Sequence, residues 1–351
     1  MAVDSALAHL SDGLFTTAIA TYALAMVGYT AEYAFGRHGR VASTSATLVA
    51  APARVGVPAA SDLAAPARVL VGAGGSVDEH PTVLAGVVPT RHRALADRFG
   101  RFAVALTVLG ALIHIGSIAL RGLAVDRVPW GNMYEFSAVV GLLAVLAFLA
   151  ALARVPQIRY LGAFVMLPVI LTMFLAGTVL YAKASPLVPA LQSYWLAIHV
   201  SAAASSEGIL MTSAVITMLF LLRQRYDARI AAGASVRFPV SIGSRLPAPE
   251  TLDKVAYRTV AFAFPIYTFG VIAGAIWAEA AWGRYWGWDP KETWAFIAWV
   301  VYAAYLHARA TAGWKGRAAA WVNLLGFGAM TFNFFVVNIV VSGLHSYAGL
   351  N

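Results

Sequence analysis

The residues best suited to chemistry in this sequence are histidines that lie in or beside long apolar stretches. Four of the eight histidines have such positions, namely His114, His199, His307 and His345. A neutral imidazole nitrogen is a common ligand for metal ions. The chain has no cysteine, which excludes disulfides, thiolate ligands, iron–sulfur clusters and cysteine zinc sites. Any metal chemistry in this chain therefore depends on histidine.

A second chemical signal is a tryptophan-rich segment, residues 277–294. Six of the ten tryptophans lie within the 23 residues from Trp277 to Trp299. An aromatic belt at a membrane interface explains one or two of them. Gly283 and Gly287 lie between the tryptophans and let the backbone approach a flat partner closely. Large apolar faces with few rotatable bonds favour a planar aromatic ligand.

Two carboxylates in the same segment have two possible roles. Asp289, Pro290 and Glu292 have the pattern of a helix start, with Asp as N-cap, Pro at the first helical position and Glu completing a capping box. Capping accounts fully for both carboxylates. A purely structural role and a direct part in ligand binding therefore stay open as equal alternatives.

The elements that must position these residues are membrane helices. The chain has 351 residues, of which 60% are hydrophobic and 12% charged, and its mean hydropathy is +0.72. These values exclude a soluble globular enzyme. Eight apolar stretches are long enough to cross a bilayer, residues 13–31, 102–120, 136–153, 160–182, 194–222, 259–278, 293–308 and 318–344. We predict an all-α, polytopic membrane helix bundle of about eight transmembrane helices.

Basic residues set the predicted orientation of this bundle. Of the 25 lysines and arginines, 20 fall on the loops of one side and 5 on those of the other. The positive-inside rule places the first set in the cytoplasm and both termini on the outer face. The net charge of +9 is thereby explained by topology and not by nucleic-acid binding. We expect a multi-pass protein of a bacterial plasma membrane.

The sequence divides into three parts. Residues 1–35 hold the first transmembrane helix, residues 36–100 form a flexible cytoplasmic linker, and residues 101–351 form the membrane core with the outer loop 277–294. The linker is rich in Ala, Pro, Gly, Val and Arg, and it repeats the motif AAPARV. Such a composition cannot build a packed core.

The predicted topology brings two histidines to one face. His199 near the start of the fifth stretch, His345 at the end of the eighth and the tryptophan-rich segment all lie outside. Two imidazoles on opposite sides saturate the iron of a haem, so a porphyrin between them explains every feature of this face. Its propionates require counter-charges, although each outer basic residue suits a solvated rim position equally well. The candidates are Arg121, Arg127, Lys183, Arg284 and Lys291.

Two further histidines are predicted inside the membrane. His307 lies 14 residues after Thr293, which is about 21 Å along a helix and thus in the cytoplasmic half of the bilayer. It either hydrogen-bonds a neighbouring helix or ligates a second haem in transit. His114, near the middle of the bilayer, is a less favoured candidate of the same kind.

The motifs resemble a known family. Residues 282–289, with the sequence WGRYWGWD, resemble the WWD signature of haem-handling proteins. Residues 129–136, 191–200 and 343–348 resemble the CcsA/ResC branch of System II cytochrome c biogenesis. The resemblance extends from about Arg101 to the C-terminus and leaves the linker unmatched.

This resemblance implies a function. Haem b would move to the outer face, be held there by His199 and His345, and be attached to the CxxCH cysteines of apocytochrome c. His307 would be the membrane histidine, and a ResB-type partner would supply the opposing one, which weakens the case for His114. The motif assigns further haem contacts to Trp282, Trp286, Trp288 and Asp289. Whether the chain is itself an enzyme stays open, and it is expected to be a subunit of a holocytochrome c synthase (haem lyase) complex.

Two other classes of function compete with this interpretation. A b-type di-haem electron-transfer protein commonly carries paired histidines on two facing helices, whereas the four histidines here fall on four stretches. A glycan or acyl transferase would make Asp289 and Glu292 catalytic, and the flanking histidines would then be coincidental.

Overall fold

The computed structural model of the chain describes residues 3–35, 90–311, 313–341 and 343–345. Within these ranges there are eight α-helices and no β-strand. The helices are α1 (Ser5–Phe35), α2 (Thr90–Val125), α3 (Met133–Arg154), α4 (Gly162–Thr178), α5 (Tyr194–Ala231), α6 (Pro249–Trp282), α7 (Pro290–Thr311) and α8 (Arg317–Ile339). The predicted all-α, polytopic membrane bundle is confirmed.

Seven of the described helices are long and apolar enough to cross a membrane, and α7 does not meet the same criterion. Its 22 residues nevertheless extend about 33 Å. At its start, Asp289 accepts a hydrogen bond from Leu344 N, just beyond α8. At its end, Arg309 pairs with Asp253 in the first turns of α6 at 2.6 Å. Helix α7 therefore runs antiparallel to α6 and α8 over the length of the bundle, and polar residues near its two ends lower its hydropathy.

The first two helices pack closely against each other. A Cβ atom at Gly28 of α1 would lie 3.0 Å from the Cβ of Ala103 in α2, which is the small-residue packing typical of membrane helices. Tyr22 and Tyr29 of α1 are fully buried in the cluster that α1 forms with α2, α3, α4 and α5. Helices α6, α7 and α8 pack around a second cluster beside α5. The fold thus places α5 between two groups of helices.

The predicted linker overlaps the described residues only at its end. Residues 36–89 lie outside the described part of the chain. Helix α2 begins at Thr90, so the last residues of the predicted 36–100 linker are helical. Arg159 donates hydrogen bonds to Glu32 at 2.7 Å and to Asp97 at 3.0 Å. This bridge holds the first turns of α2 against α1, which the composition of the segment alone did not indicate.

A buried ion cluster holds the opposite end of the bundle. The Glu135 side chain is 0% exposed and pairs with Arg121 at 3.2 Å and with Arg127 at 2.8 Å. It also accepts a hydrogen bond from Gly131 N at 2.8 Å. These contacts fix the loop between α2 and α3, and this loop forms one wall of the site described next.

Candidate functional site

A cavity lies at the end of the bundle away from the basic loops. Its empty volume is about 1300 Å³, a value that includes the open space at its mouth. Helices α5, α6, α7 and α8 and the α2–α3 loop line it. Its walls are mainly aromatic and aliphatic, and several polar side chains reach into it. The cavity is therefore suited to a large, mostly apolar ligand.

His199 lies on α5 and faces this cavity. Its ring stacks on Trp277 of α6 with 5.9 Å between ring centroids and 9° between planes. Nδ1 donates a hydrogen bond to the carbonyl of Gly270 at 2.8 Å. Gly274 makes room for the ring, since a Cβ there would lie 2.7 Å from Nδ1. These contacts fix the ring with Nδ1 towards α6 and make Nε2 the basic nitrogen.

His345 reaches the same cavity from beyond the last helix. Helix α8 ends at Ile339, earlier than the predicted apolar stretch 318–344. The chain then turns so that His345 Nδ1 donates a hydrogen bond to Asp289 Oδ2 at 2.8 Å. Burial lowers the pKa of His345, although the Asp289 carboxylate opposes that shift. The imidazole is therefore neutral at physiological pH, as a metal ligand must be.

Asp289 combines the two roles that the sequence left open. It has the predicted capping geometry, because its N–H donates to Glu292 at 3.0 Å and its Oδ2 accepts from Lys291 N at 3.2 Å. The same carboxylate holds His345. Burial alone would raise the pKa of Asp289, but the hydrogen bonds from His345 and from Leu344 N lower it to about 2. Asp289 is therefore ionised while it caps α7 and orients the histidine.

Of the three tryptophans predicted for the site, Trp282 and Trp286 line the cavity. Trp282 packs edge-on against His345 at 4.9 Å between centroids. Trp288 is 64% exposed. Its ring packs against Trp286 from outside the cavity, with 5.7 Å between ring centroids. Its positive φ of 59° belongs to the turn that starts α7. Trp288 is thus not among the residues that line the cavity.

Trp277 is the site residue that the motif assignment missed. It is 2% exposed, and its ring centroid lies 5.9 Å from that of His199 and 5.7 Å from that of His345. It belongs to α6, which continues to Trp282, so only residues 283–289 of the predicted loop 277–294 lie between helices. Helical spacing was the available signal, because Gly270, Gly274 and Trp277 share one face of α6.

The other two membrane histidines lie elsewhere. His307 is exposed on α7, about 24 Å along the helix from Lys291 at 1.5 Å per residue. His114 is fully buried, with Nδ1 lying 3.4 Å from the hydroxyl of Tyr22. Neither residue lines the cavity. The described residues therefore contain one histidine pair at a shared cavity, not the two pairs expected for di-haem electron transfer.

Fold and site together define a class, namely a polytopic helical membrane protein that holds a histidine pair and a tryptophan wall at one membrane surface. The profile of the cytochrome c assembly protein family matches residues 130–345. The chain belongs to this family, which confirms the resemblance to CcsA and ResC proteins. It is accordingly a membrane protein of cytochrome c biogenesis.

Relatives named cytochrome c biogenesis protein CcsA extend this similarity. The protein from Guillardia theta is 46% identical over 177 residues, covering 48% of this chain and 59% of the relative. The protein from Pyropia yezoensis is 34% identical over 288 residues, covering 71% and 88%. The protein from Gloeobacter violaceus is 33% identical over 307 residues, covering 74% and 89%.

Proposed function

We propose that this chain holds haem b at the outer face of a bacterial plasma membrane and presents it for attachment to apocytochrome c. The observation that carries the proposal is that the rings of His199 and His345 both pack against Trp277, with 5.9 and 5.7 Å between ring centroids, at the wall of one cavity. In this proposal the two imidazoles are the haem ligands, and the chain acts as a subunit of a haem lyase complex.

The donor set and the cavity fit a haem. Both histidines have Nδ1 engaged in a hydrogen bond, His199 with a carbonyl and His345 with a carboxylate. This arrangement is typical of metal-bound histidines, whose other nitrogen is the ligand. Trp277, Trp282 and Trp286 offer flat apolar surface for a porphyrin. When bound, haem supplies its two vinyl groups to the reaction.

The work of this chain is positioning. A cysteine thiol of apocytochrome c adds across a vinyl group, with sulfur bonding to one carbon and hydrogen to the other, so the addition needs no oxidant. Because this chain has no cysteine, both sulfurs come from the CxxCH motif of the substrate. Holding the vinyl groups near the thiols and excluding bulk water are tasks for the cavity walls and the ligand histidines.

The proposal also includes His307. Its exposed imidazole on α7 is accessible to a neighbouring membrane chain, and an ionisable residue in that position points to function. We assign it to haem in transit, with the opposing histidine coming from a ResB-type partner.

The test is the absorption spectrum of the complex purified with its partner from haem-replete cells. The wild type should carry low-spin, bis-histidine haem. His199→Gly and His345→Gly should each lose that spectrum and cytochrome c assembly, and added imidazole should partly restore the spectrum. A colourless wild type, or unchanged haem content in both variants, would remove the assigned ligands.

A further inference from the structure

We propose that Lys291 and Asn338 form the subsite for the haem propionates, so that one edge of the porphyrin is anchored between the start of α7 and the end of α8. This inference rests on the proposed function, because it concerns the orientation of the ligand in the same cavity. It selects one of the five basic side chains that the sequence left equivalent.

Three of those five side chains already have carboxylate partners. Arg121 and Arg127 both pair with the buried Glu135, at 3.2 and 2.8 Å. Arg284 lies 3.3 Å from Glu292. An arginine that is already paired with a carboxylate gains little from binding a second one, because the second carboxylate would weaken the existing ion pair.

The two lysines differ in their surroundings. Lys183 is exposed and does not line the cavity, whereas Lys291 lines it. The Lys291 ammonium donates a hydrogen bond to Asn338 Oδ1 at 2.6 Å. Asn338 Nδ2 donates to the carbonyl of Phe334, which fixes the amide with its oxygen towards the lysine.

The Lys291 ammonium lacks a counter-ion at hydrogen-bonding distance. In the part of the chain that the structure describes, no carboxylate oxygen lies within 4.0 Å of it. An ammonium has three N–H donors, and Asn338 takes one of them. Glu207 and Asp289 attract this charge from farther away, and a ligand carboxylate at hydrogen-bonding distance would supply the direct ion pair that is lacking.

Two further polar residues, Asn333 and Glu207, line the cavity. Asn333 lies on α8 about 7.5 Å inward from Asn338 at 1.5 Å per residue. Its buried Oδ1 accepts no hydrogen bond from the described residues, and this oxygen, as an acceptor, cannot donate to a propionate. Glu207 also lines the cavity, from α5, and lies close enough to Lys291 for the two charges to interact. The assignment to Lys291 therefore rests on its place in the cavity wall and on its hydrogen bond to Asn338.

Anchoring at Lys291 has a chemical consequence. The two propionates share one edge of haem, and the vinyl groups occupy the other pyrroles. A fixed carboxylate edge therefore gives the vinyl groups a defined position in the cavity. The same subsite selects porphyrins with ionised side chains over their neutral esters.

The experiment compares two probes, hemin and hemin dimethyl ester, in titrations of haem-depleted complex followed by absorption. A charge-assisted hydrogen bond contributes about 1.5–3 kcal/mol, so the wild type should bind the diacid at least about tenfold more tightly. Lys291→Met should bind both probes equally. Lys291→Arg should keep the preference, and Lys183→Met, which changes a lysine outside the cavity, should keep it fully.

The outcomes separate this inference from the proposed function. Equal affinity of the wild type for both probes would overturn the propionate subsite, and so would an undiminished preference for the diacid in Lys291→Met. If the bound hemin still gave a bis-histidine spectrum, the assignment of His199 and His345 as haem ligands would stand. A wild type in which neither probe gives that spectrum would overturn both. Gel filtration and helical circular dichroism check that Lys291→Met is folded.

Discussion

The carboxylate of Asp289 accepts a hydrogen bond from His345 Nδ1 at 2.8 Å, although 56 residues separate them in sequence. The same carboxylate accepts from the N–H of Lys291 and so caps α7. The start of one helix thus orients a side chain that lies beyond the end of the next. Because Asp289 is ionised, the bond to the imidazole is charge-assisted and stronger than a neutral one.

Asp289→Asn should separate capping from histidine orientation. Asparagine is as good an N-cap as aspartate, so α7 should stay intact, while the charge-assisted bond to His345 is lost. Loss of such a support typically lowers metal affinity by about 10–100-fold. Hemin titration measures the affinity, and circular dichroism measures the helix content. Wild-type affinity in Asp289→Asn would contradict the orienting role.

The tryptophans of residues 282–289 should differ in their contribution to hemin binding. Trp282→Ala removes a ring packed on His345, and aromatic pairs contribute about 0.5–1.5 kcal/mol beyond their buried area. We expect about tenfold weaker hemin binding from that loss. Trp288→Ala, the matched control outside the cavity, should stay within about twofold of wild type. Equal losses in both variants would indicate that Trp288 turns inward when haem binds.

Gly274→Ala should displace the His199 ring without unfolding α6. The new Cβ would lie 2.7 Å from His199 Nδ1, so the imidazole must move. We expect loss of the bis-histidine spectrum, with helix content unchanged. Gly13→Ala in α1 is the control, since a Cβ there meets no atom within 4 Å. An intact spectrum in Gly274→Ala would mean that the ring position tolerates displacement.

Glu135→Gln should reduce stability more than any exposed carboxylate change. It leaves the guanidiniums of Arg121 and Arg127 beside a neutral amide, and breaking a buried ion pair costs about 3–5 kcal/mol. Glu250→Gln, an exposed change at the start of α6, should cost less than about 0.5 kcal/mol. Denaturation in detergent, followed by circular dichroism, compares the two. Equal midpoints would show that the cluster contributes little.

His307→Ala should abolish delivery and leave the outer site able to bind haem. The imidazole is exposed on α7 and remote from the cavity, so its removal changes neither folding nor the outer ligands. Cytochrome c yield should fall in cells, while hemin added to the purified complex should give the wild-type bis-histidine spectrum. A normal cytochrome c yield would exclude His307 from the path.

The sequence predicted that the protein is a bundle of membrane helices, and it predicted the capped start of α7. Long apolar stretches specify membrane helices because unpaired backbone groups are too costly in lipid. The Asp289 and Glu292 cap followed from local spacing, since a capping box is formed within a single turn. These features depend on residues close together in the chain, and a sequence pattern therefore contains them.

Only the tertiary structure decided which side chains meet. The end of α8 at Ile339 let His345 turn back to Asp289. The rotation of α6 about its axis packed Trp277 against both histidines, and Trp288 was turned outward. Lys291 was distinguished from Arg121, Arg127 and Arg284 by the carboxylates that pair with them, and from Lys183 by its place in the cavity wall. Such contacts join different helices, and their geometry depends on packing between residues distant in sequence, so no local pattern specifies them.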